Sequence, residues 1–147
     1  MLSPIVLDAA AEGGCLCGAV RYVVTAGEVR ESGYCHCRTC QRQSGAPVVA
    51  WFAVPPERVR VVKGSPSVYR ASDRAGREFC AVCGTYLFFR EDDPAATLSV
   101  NTATLDEPAL IPPEFHIWHE SRIGWFETAD RLPRHERGRS DLTPSSP

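Results

Sequence analysis

Apolar residues recur along this chain in short runs of β-branched and aromatic side chains, cut apart by glycine and proline. Leu16–Thr25 (LCGAVRYVVT) opens the series, and Val48–Val54 (VVAWFAV) is continuous enough to be buried on both faces. Arg58–Val62, Ser67–Ser72, Thr85–Arg90, Thr97–Thr104 and Phe115–His119 complete it. Such residues at such spacing predict a mainly β fold, a small sandwich or open barrel of short antiparallel strands. Twelve prolines and eleven glycines leave few windows for a helix, and only Arg38–Ser44 is free to make one or two turns before Pro47.

The pattern also sets domain bounds. With 147 residues the chain makes one domain and buries a core without disulfides. Residues 1–12 are expected as a flexible N-terminal arm, 13–131 as the β domain, and 132–147 as a polar, frayed tail. No basic leader precedes an apolar stretch at the N-terminus, and no run approaches the roughly 20 apolar residues of a membrane span. A cytoplasmic protein is expected, with no membrane partner. The formal net charge of −2 gives no positive field to hold a polyanion, so no nucleic acid is expected either.

In a reducing compartment seven cysteines call for an explanation other than disulfides. They fall into three clusters. Cys15-Leu16-Cys17 lies on the first predicted strand, where alternation puts both sulfurs on one face and Leu16 toward the core. Cys35-His36-Cys37-Arg38-Thr39-Cys40 is the second, and Cys80-Ala81-Val82-Cys83-Gly84 the third. Cys-x-x-Cys followed by glycine is a tight metal-binding turn, in which two thiolates converge and glycine takes a backbone angle other residues resist. Lone cysteines pack as small hydrophobes, but three tight clusters argue against that reading. Ferredoxin spacings do not match, and no βαβ pattern supports a redox dithiol at Cys80/Cys83.

Structural zinc takes four protein ligands, whereas catalytic zinc keeps an open position. Seven ligands divide as Cys15, Cys17, Cys80 and Cys83 in a closed site, with Cys35, Cys37 and Cys40 in an open one. The other division joins Cys35/Cys37 to Cys80/Cys83, and spacing alone leaves it standing.

Four stretches carry a resemblance: GGCLCGAVRY at residues 13–22, CHCRTCQRQSGAP at 35–47, REFCAVCGTYLFF at 77–89 and FHIWHESRIGWFETADRLPRHE at 115–136. In order, they resemble the glutathione-dependent formaldehyde-activating enzyme family, which includes the centromere protein V domain. The resemblance implies a zinc-stapled β fold related to methionine sulfoxide reductase B. It implies structural zinc on Cys15, Cys17, Cys80 and Cys83, and the activity-linked zinc on Cys35, Cys37 and Cys40, two ions per chain. It also implies a carbon–sulfur lyase that reversibly adds a small thiol, such as glutathione, to a small aldehyde, such as formaldehyde. No glutathione-contact residue is carried over.

Around the ligands the sequence offers candidates with two readings each. His36 is a proton shuttle or support for the ligands, or a packed or solvent-facing ring. Arg38, Gln41 and Arg42 hold a substrate carboxylate or are solvated. His116, Trp118 and Trp125 wall a pocket or belong to the core. Ser44-Gly45 has no legible catalytic partners, and Asp92-Asp93 beside Pro94 reads as an exposed turn. The competing function is a non-catalytic, zinc-stabilised binding scaffold.

Overall fold

The structure, a computed structural model, describes residues 3–139. Its strands are β1 (Val6–Leu7), β2 (Ala11–Gly14), β3 (Arg21–Val24), β4 (Gly27–Glu28), β5 (Glu31–Cys35) and β6 (Val49–Val54). They continue with β7 (Val59–Lys63), β8 (Ser67–Tyr69), β9 (Ala75–Phe79), β10 (Tyr86–Glu91), β11 (Leu98–Asn101) and β12 (His116–Ile117). The single α-helix among the described residues, α1, spans Arg38–Ser44, where the sequence left room for it. No helix among them is long and apolar enough to cross a membrane.

Two sheets carry the architecture: a seven-stranded one ordered β12-β5-β6-β11-β10-β9-β8 and a three-stranded one ordered β2-β3-β7. They stay open, with no closed barrel, and all pairs are antiparallel except β12 on β5. Between the sheets lies the main core, where Tyr22 and Val24 of β3 face Phe52 and Val54 of β6, Phe88 of β10, and Leu98 and Val100 of β11. Tyr22 meets Phe88 edge to face at 5.0 Å, and its hydroxyl pairs with the Thr104 hydroxyl at 2.6 Å.

Because strand side chains alternate, the opposite face of the large sheet carries a different set. Val49 and Trp51 of β6, Arg77 of β9, Phe89 of β10, and Ser99 and Asn101 of β11 turn away from the core toward a cavity. A bulge in β10 between Tyr86 and Phe88 breaks the alternation, so Leu87 and Phe88 both enter the core while Tyr86 lines the cavity.

Several expectations are corrected. Only Arg21–Val24 of the first predicted strand is extended; Leu16–Val20 is turn, and Leu16 is 89% exposed rather than buried. A strand cannot bring two neighbouring thiols round one point as closely as a turn can. The arm expected over residues 1–12 is held from Val6 onward, since β1 pairs with β4 and β2 with β3; residues 1 and 2 lie outside the described residues. The segment from Pro133 to Arg137 is likewise tied down: Pro133 and Arg137 carbonyls accept from the His116 and Trp118 amides at 2.8 and 3.1 Å. Residues 140–147 of the expected tail lie outside the described residues. Strands β5 (ESGYC) and β9 (AGREF) escaped the apolar pattern because each carries glycine and charge.

Candidate metal centre

Two turns build the first cysteine cluster. One leaves β2 at Gly14 and folds back through Gly18, whose amide donates to the Cys15 carbonyl at 3.2 Å. The other leaves β9 at Phe79 and closes with the Gly84 amide on the Cys80 carbonyl at 2.7 Å. Gly18 and Gly84 have φ of 79° and 82°, the left-handed region that the Cys-x-x-Cys-Gly pattern predicts for Gly84. The Leu16 amide donates to the Thr85 hydroxyl at 3.0 Å and links the two turns.

The four sulfurs of Cys15, Cys17, Cys80 and Cys83 lie within 4.8 Å of one another. Cys15 and Cys17 sulfurs are 3.6 Å apart, and those of Cys17 and Cys80 3.9 Å. Thiolates on a tetrahedral zinc, each about 2.3 Å from the ion, sit about 3.8 Å from one another, so the donor set fits that metal. The Val20 amide donates to Cys15 Sγ at 3.2 Å, and hydrogen bonds from the Thr85 hydroxyl and amide bring the Cys83 thiol down to about 5.

The second cluster sits where β5 runs into α1. Cys35 ends the strand, Cys37 caps the helix, and Cys40 stands in its first turn. The Cys40 amide donates to Cys37 Sγ at 3.2 Å, so the cap itself brings the two sulfurs together. All three sulfurs lie within 4.8 Å of one another, and all three residues are buried. Hydrogen bonds from Cys35 and Cys40 push the Cys37 thiol down to about 3, while contacts with Cys37 and Cys40, and then burial, hold Cys35 well above its ordinary value. Three soft donors with one thiolate already favoured suit zinc, with a fourth position left to another ligand. The structure thus brings together the sulfurs of the first division and not those of the alternative.

A cavity of about 100 Å³ borders this second cluster. Cys35 and Cys40 form part of its wall with Trp51, Phe89, Phe115 and Trp118, and none of the other five cysteines lines it. Trp118 adopts left-handed backbone geometry, φ 54°, an uncommon state for a bulky residue, and its amide is held by the Arg137 carbonyl. Of the sequence candidates, Trp118 therefore lines the pocket, whereas Trp125 is 77% exposed and stands outside it.

His36 points away from the cavity into a buried chain of rings. Its Nε2 lies 2.8 Å from His116 Nδ1, and His116 Nε2 lies 3.1 Å from the Asp130 carboxylate. A carboxylate accepts only, so His116 donates through Nε2 and, when neutral, accepts through Nδ1 from His36. Burial, followed by the His116 and His119 charges, lowers His36 to about 4, so it is neutral near pH 7. Asp130 keeps its charge: against burial, hydrogen bonds from the Thr128 hydroxyl, the Leu132 amide and His116 hold it well below the usual range.

Arg38, Gln41 and Arg42 do not reach the cavity. Gln41 is instead a clamp, its amide donating to the His36 carbonyl at 2.7 Å and the Ser121 carbonyl at 3.2 Å, while Arg38 donates to its side-chain oxygen. Asp92 is paired with Arg70 at the surface. Nothing in the sequence marks Arg77, Tyr86, Trp51 or Asp130 as neighbours of the site. Arg77 stands three residues before Cys80, but nothing in that spacing says its strand also reaches Cys40.

Comparison with known proteins follows the cysteine pattern. The family model described as glutathione-dependent formaldehyde-activating enzyme matches residues 10–121, a span that holds all seven cysteines and His116 and stops before Asp130. A Halomonas elongata protein with the provisional name glutathione-dependent formaldehyde-activating enzyme is 27% identical over 128 residues, 82% of each chain. An uncharacterized lyase of Schizosaccharomyces pombe is 35% identical over 78 residues, covering 53% of this chain and 56% of that one. A crystal structure of a Rhodobacter sphaeroides protein aligns with a TM-score of 0.50 and 29% identity, over 65% of this chain and 87% of that one.

Proposed function

The chain belongs to the glutathione-dependent formaldehyde-activating enzyme family, and we propose that it is a carbon–sulfur lyase that reversibly adds a small thiol to a small aldehyde. Glutathione and formaldehyde are the expected pair, in keeping with the family and the lyase name of a relative. In this reading Cys15, Cys17, Cys80 and Cys83 hold a structural zinc, and Cys35, Cys37 and Cys40 hold a second zinc that serves the reaction. Zinc held by these three thiolates would supply a Lewis acid that favours the thiolate form of an incoming thiol.

The protein's own groups then shape the reaction. Trp51, Phe115, Ile117 and Trp118 wall the cavity beside Cys35 and Cys40 and limit the water that reaches a bound aldehyde. The Asp130–His116–His36 chain and the Gln41 clamp fix the backbone between Cys35 and Cys37, so the sulfurs keep their spacing as substrate enters. Overall, the thiol sulfur bonds to the carbonyl carbon, and the carbonyl oxygen ends with the proton that the sulfur gave up. Cleavage runs the same path backwards. Seven free thiols need a reducing compartment, and the cytoplasm is the proposed location.

The observation that carries this reading is the contrast between the clusters. Four sulfurs meet away from the cavity, while the three-sulfur cluster borders it and sets two of its members, Cys35 and Cys40, in the wall. The test combines zinc content by elemental mass spectrometry with exchange NMR of ¹³C-formaldehyde and glutathione. Two zinc ions per chain, with interconversion of aldehyde and adduct faster than in buffer, are expected. One ion and no acceleration, even after zinc is restored, would leave a zinc-held scaffold in place of an enzyme.

A further inference from the structure

Arg77 is 3% exposed, yet it makes no ion pair with a carboxylate among the described residues. Its Nη1 donates to the Tyr86 hydroxyl at 3.0 Å, the Gln43 side-chain oxygen at 3.2 Å and Cys40 Sγ at 3.5 Å. The guanidinium carbon lies 5.0 Å from the Phe89 ring centre and 5.6 Å from that of Tyr86. Arginine does not shed its proton in proteins. A full positive charge is therefore buried among neutral acceptors, aromatic faces and one sulfur, a costly arrangement unless an opposite charge stands close by.

The sulfur cluster supplies that charge. Three thiolates on a divalent ion leave one net negative charge, and a single guanidinium cancels it. We infer that Arg77 is the counter-charge of the three-cysteine site, a positioning residue that holds the Cys40 sulfur and tunes its donation to the metal, a role that presupposes the metal reading above. An N–H directed at a ligating sulfur draws electron density from it. The sulfur then binds the ion less covalently, while the guanidinium offsets the net negative charge of the buried loaded site, which would be costlier to hold without it. The guanidinium is aimed by its surroundings: Tyr86 and Phe89 fix its plane, and the bulge in β10 puts Tyr86 within reach.

The placement also joins the two clusters. Arg77 lies three residues before Cys80 and Tyr86 three residues after Cys83, so both partners leave the turn that carries half of the four-cysteine site. Ordering that turn orders the cation at the other cluster.

The test compares wild type with Arg77→Met, Arg77→Gln and Arg77→Lys, loaded with two zinc ions and titrated with a chromogenic chelator at pH 6 to 8. Arg77→Met and Arg77→Gln should release one ion at least about tenfold more readily, the other staying as in wild type. Arg77→Lys, which keeps the charge, should recover part of the loss. With cobalt in place of zinc, the thiolate-to-metal charge-transfer band of the weaker site should move to lower energy in the neutral variants, a change that loss of packing alone does not produce. If Arg77→Met is insoluble, the Gln and Lys variants carry the comparison. Equal affinity and unchanged bands in the neutral variants overturn the role of Arg77 alone. A wild-type protein that takes up one ion only overturns this role together with the proposed chemistry.

Discussion

Tyr22 shows how one residue ties stability to pH. It is fully buried in the main core with its hydroxyl on Thr104, and burial pushes its pKa up to about 12. The folded state thus holds the phenol proton more tightly than the unfolded chain, where tyrosine titrates near 10. Its contribution is fully present below about pH 10 and is lost as pH rises through about 12, a change on the order of 2–3 kcal/mol. Urea unfolding between pH 8 and 12 should show this loss, and Tyr22→Phe should flatten it while costing about 1 kcal/mol at pH 7 for the missing hydrogen bond. At the same scale, the sequence identified every thiol of both clusters but placed Leu16 in the core. The side chain that flanks two converging sulfurs in a turn points outward, as Leu16 and the 78% exposed Val82 both do.

Among the elements, the tight turns matter most, because they replace side-chain choice with backbone geometry. Gly84 has φ 82°, and an alanine there must either hold a left-handed conformation, at roughly 1–2 kcal/mol, or open the turn between Cys80 and Cys83. Gly84→Ala should lower the melting temperature and speed zinc loss from the four-cysteine site. Gly124→Ala is the matched control, since no atom lies within 4 Å of an added Cβ and the position is exposed. It should change neither quantity measurably. Helix α1 was legible because Pro47 and the glycines left no other room, and its capping by Cys37 explains why a Cys-x-x-Cys spacing suits a helix start. Strands β5 and β9 were not legible. Each earns its place by pairing on both sides within the large sheet, a tertiary effect that outweighs its weak local propensity.

For the molecule as a whole, the two clusters stand in different relations to the core. Cys15 and Cys80 belong to the packed interior between the sheets, whereas Cys35, Cys37 and Cys40 form a smaller cluster on the far face of the large sheet. Loss of a ligand should therefore have different effects at the two places. Cys83→Ser should give an insoluble or metal-poor protein with a strongly lowered melting temperature. Cys40→Ser should remain folded, hold one zinc ion and lose adduct exchange. Circular dichroism melts with zinc analysis of both variants decide the matter; a collapsed Cys40→Ser beside an unaffected Cys83→Ser would exchange the roles of the sites.

By itself the sequence determined which residues form clusters of soft donors and what class of fold carries them. Thiol clusters show as cysteines at short, fixed spacings, and short β-branched runs between turns form sheets, so both are written locally. It left two divisions of the ligands standing, because spacing says nothing about which distant turns meet. Only the tertiary structure decided that, by pairing β2 with β3 and β9 with β10 so that their ends converge. It alone set Arg77 against Cys40 and Asp130 behind His116, since those contacts cross 37 and 14 residues and depend on a bulge and on backbone bonds from His116 to the segment beyond Asp130. The buried cation beside Cys40 is a property of the packed molecule: no local pattern can specify a guanidinium whose partner arrives from another strand.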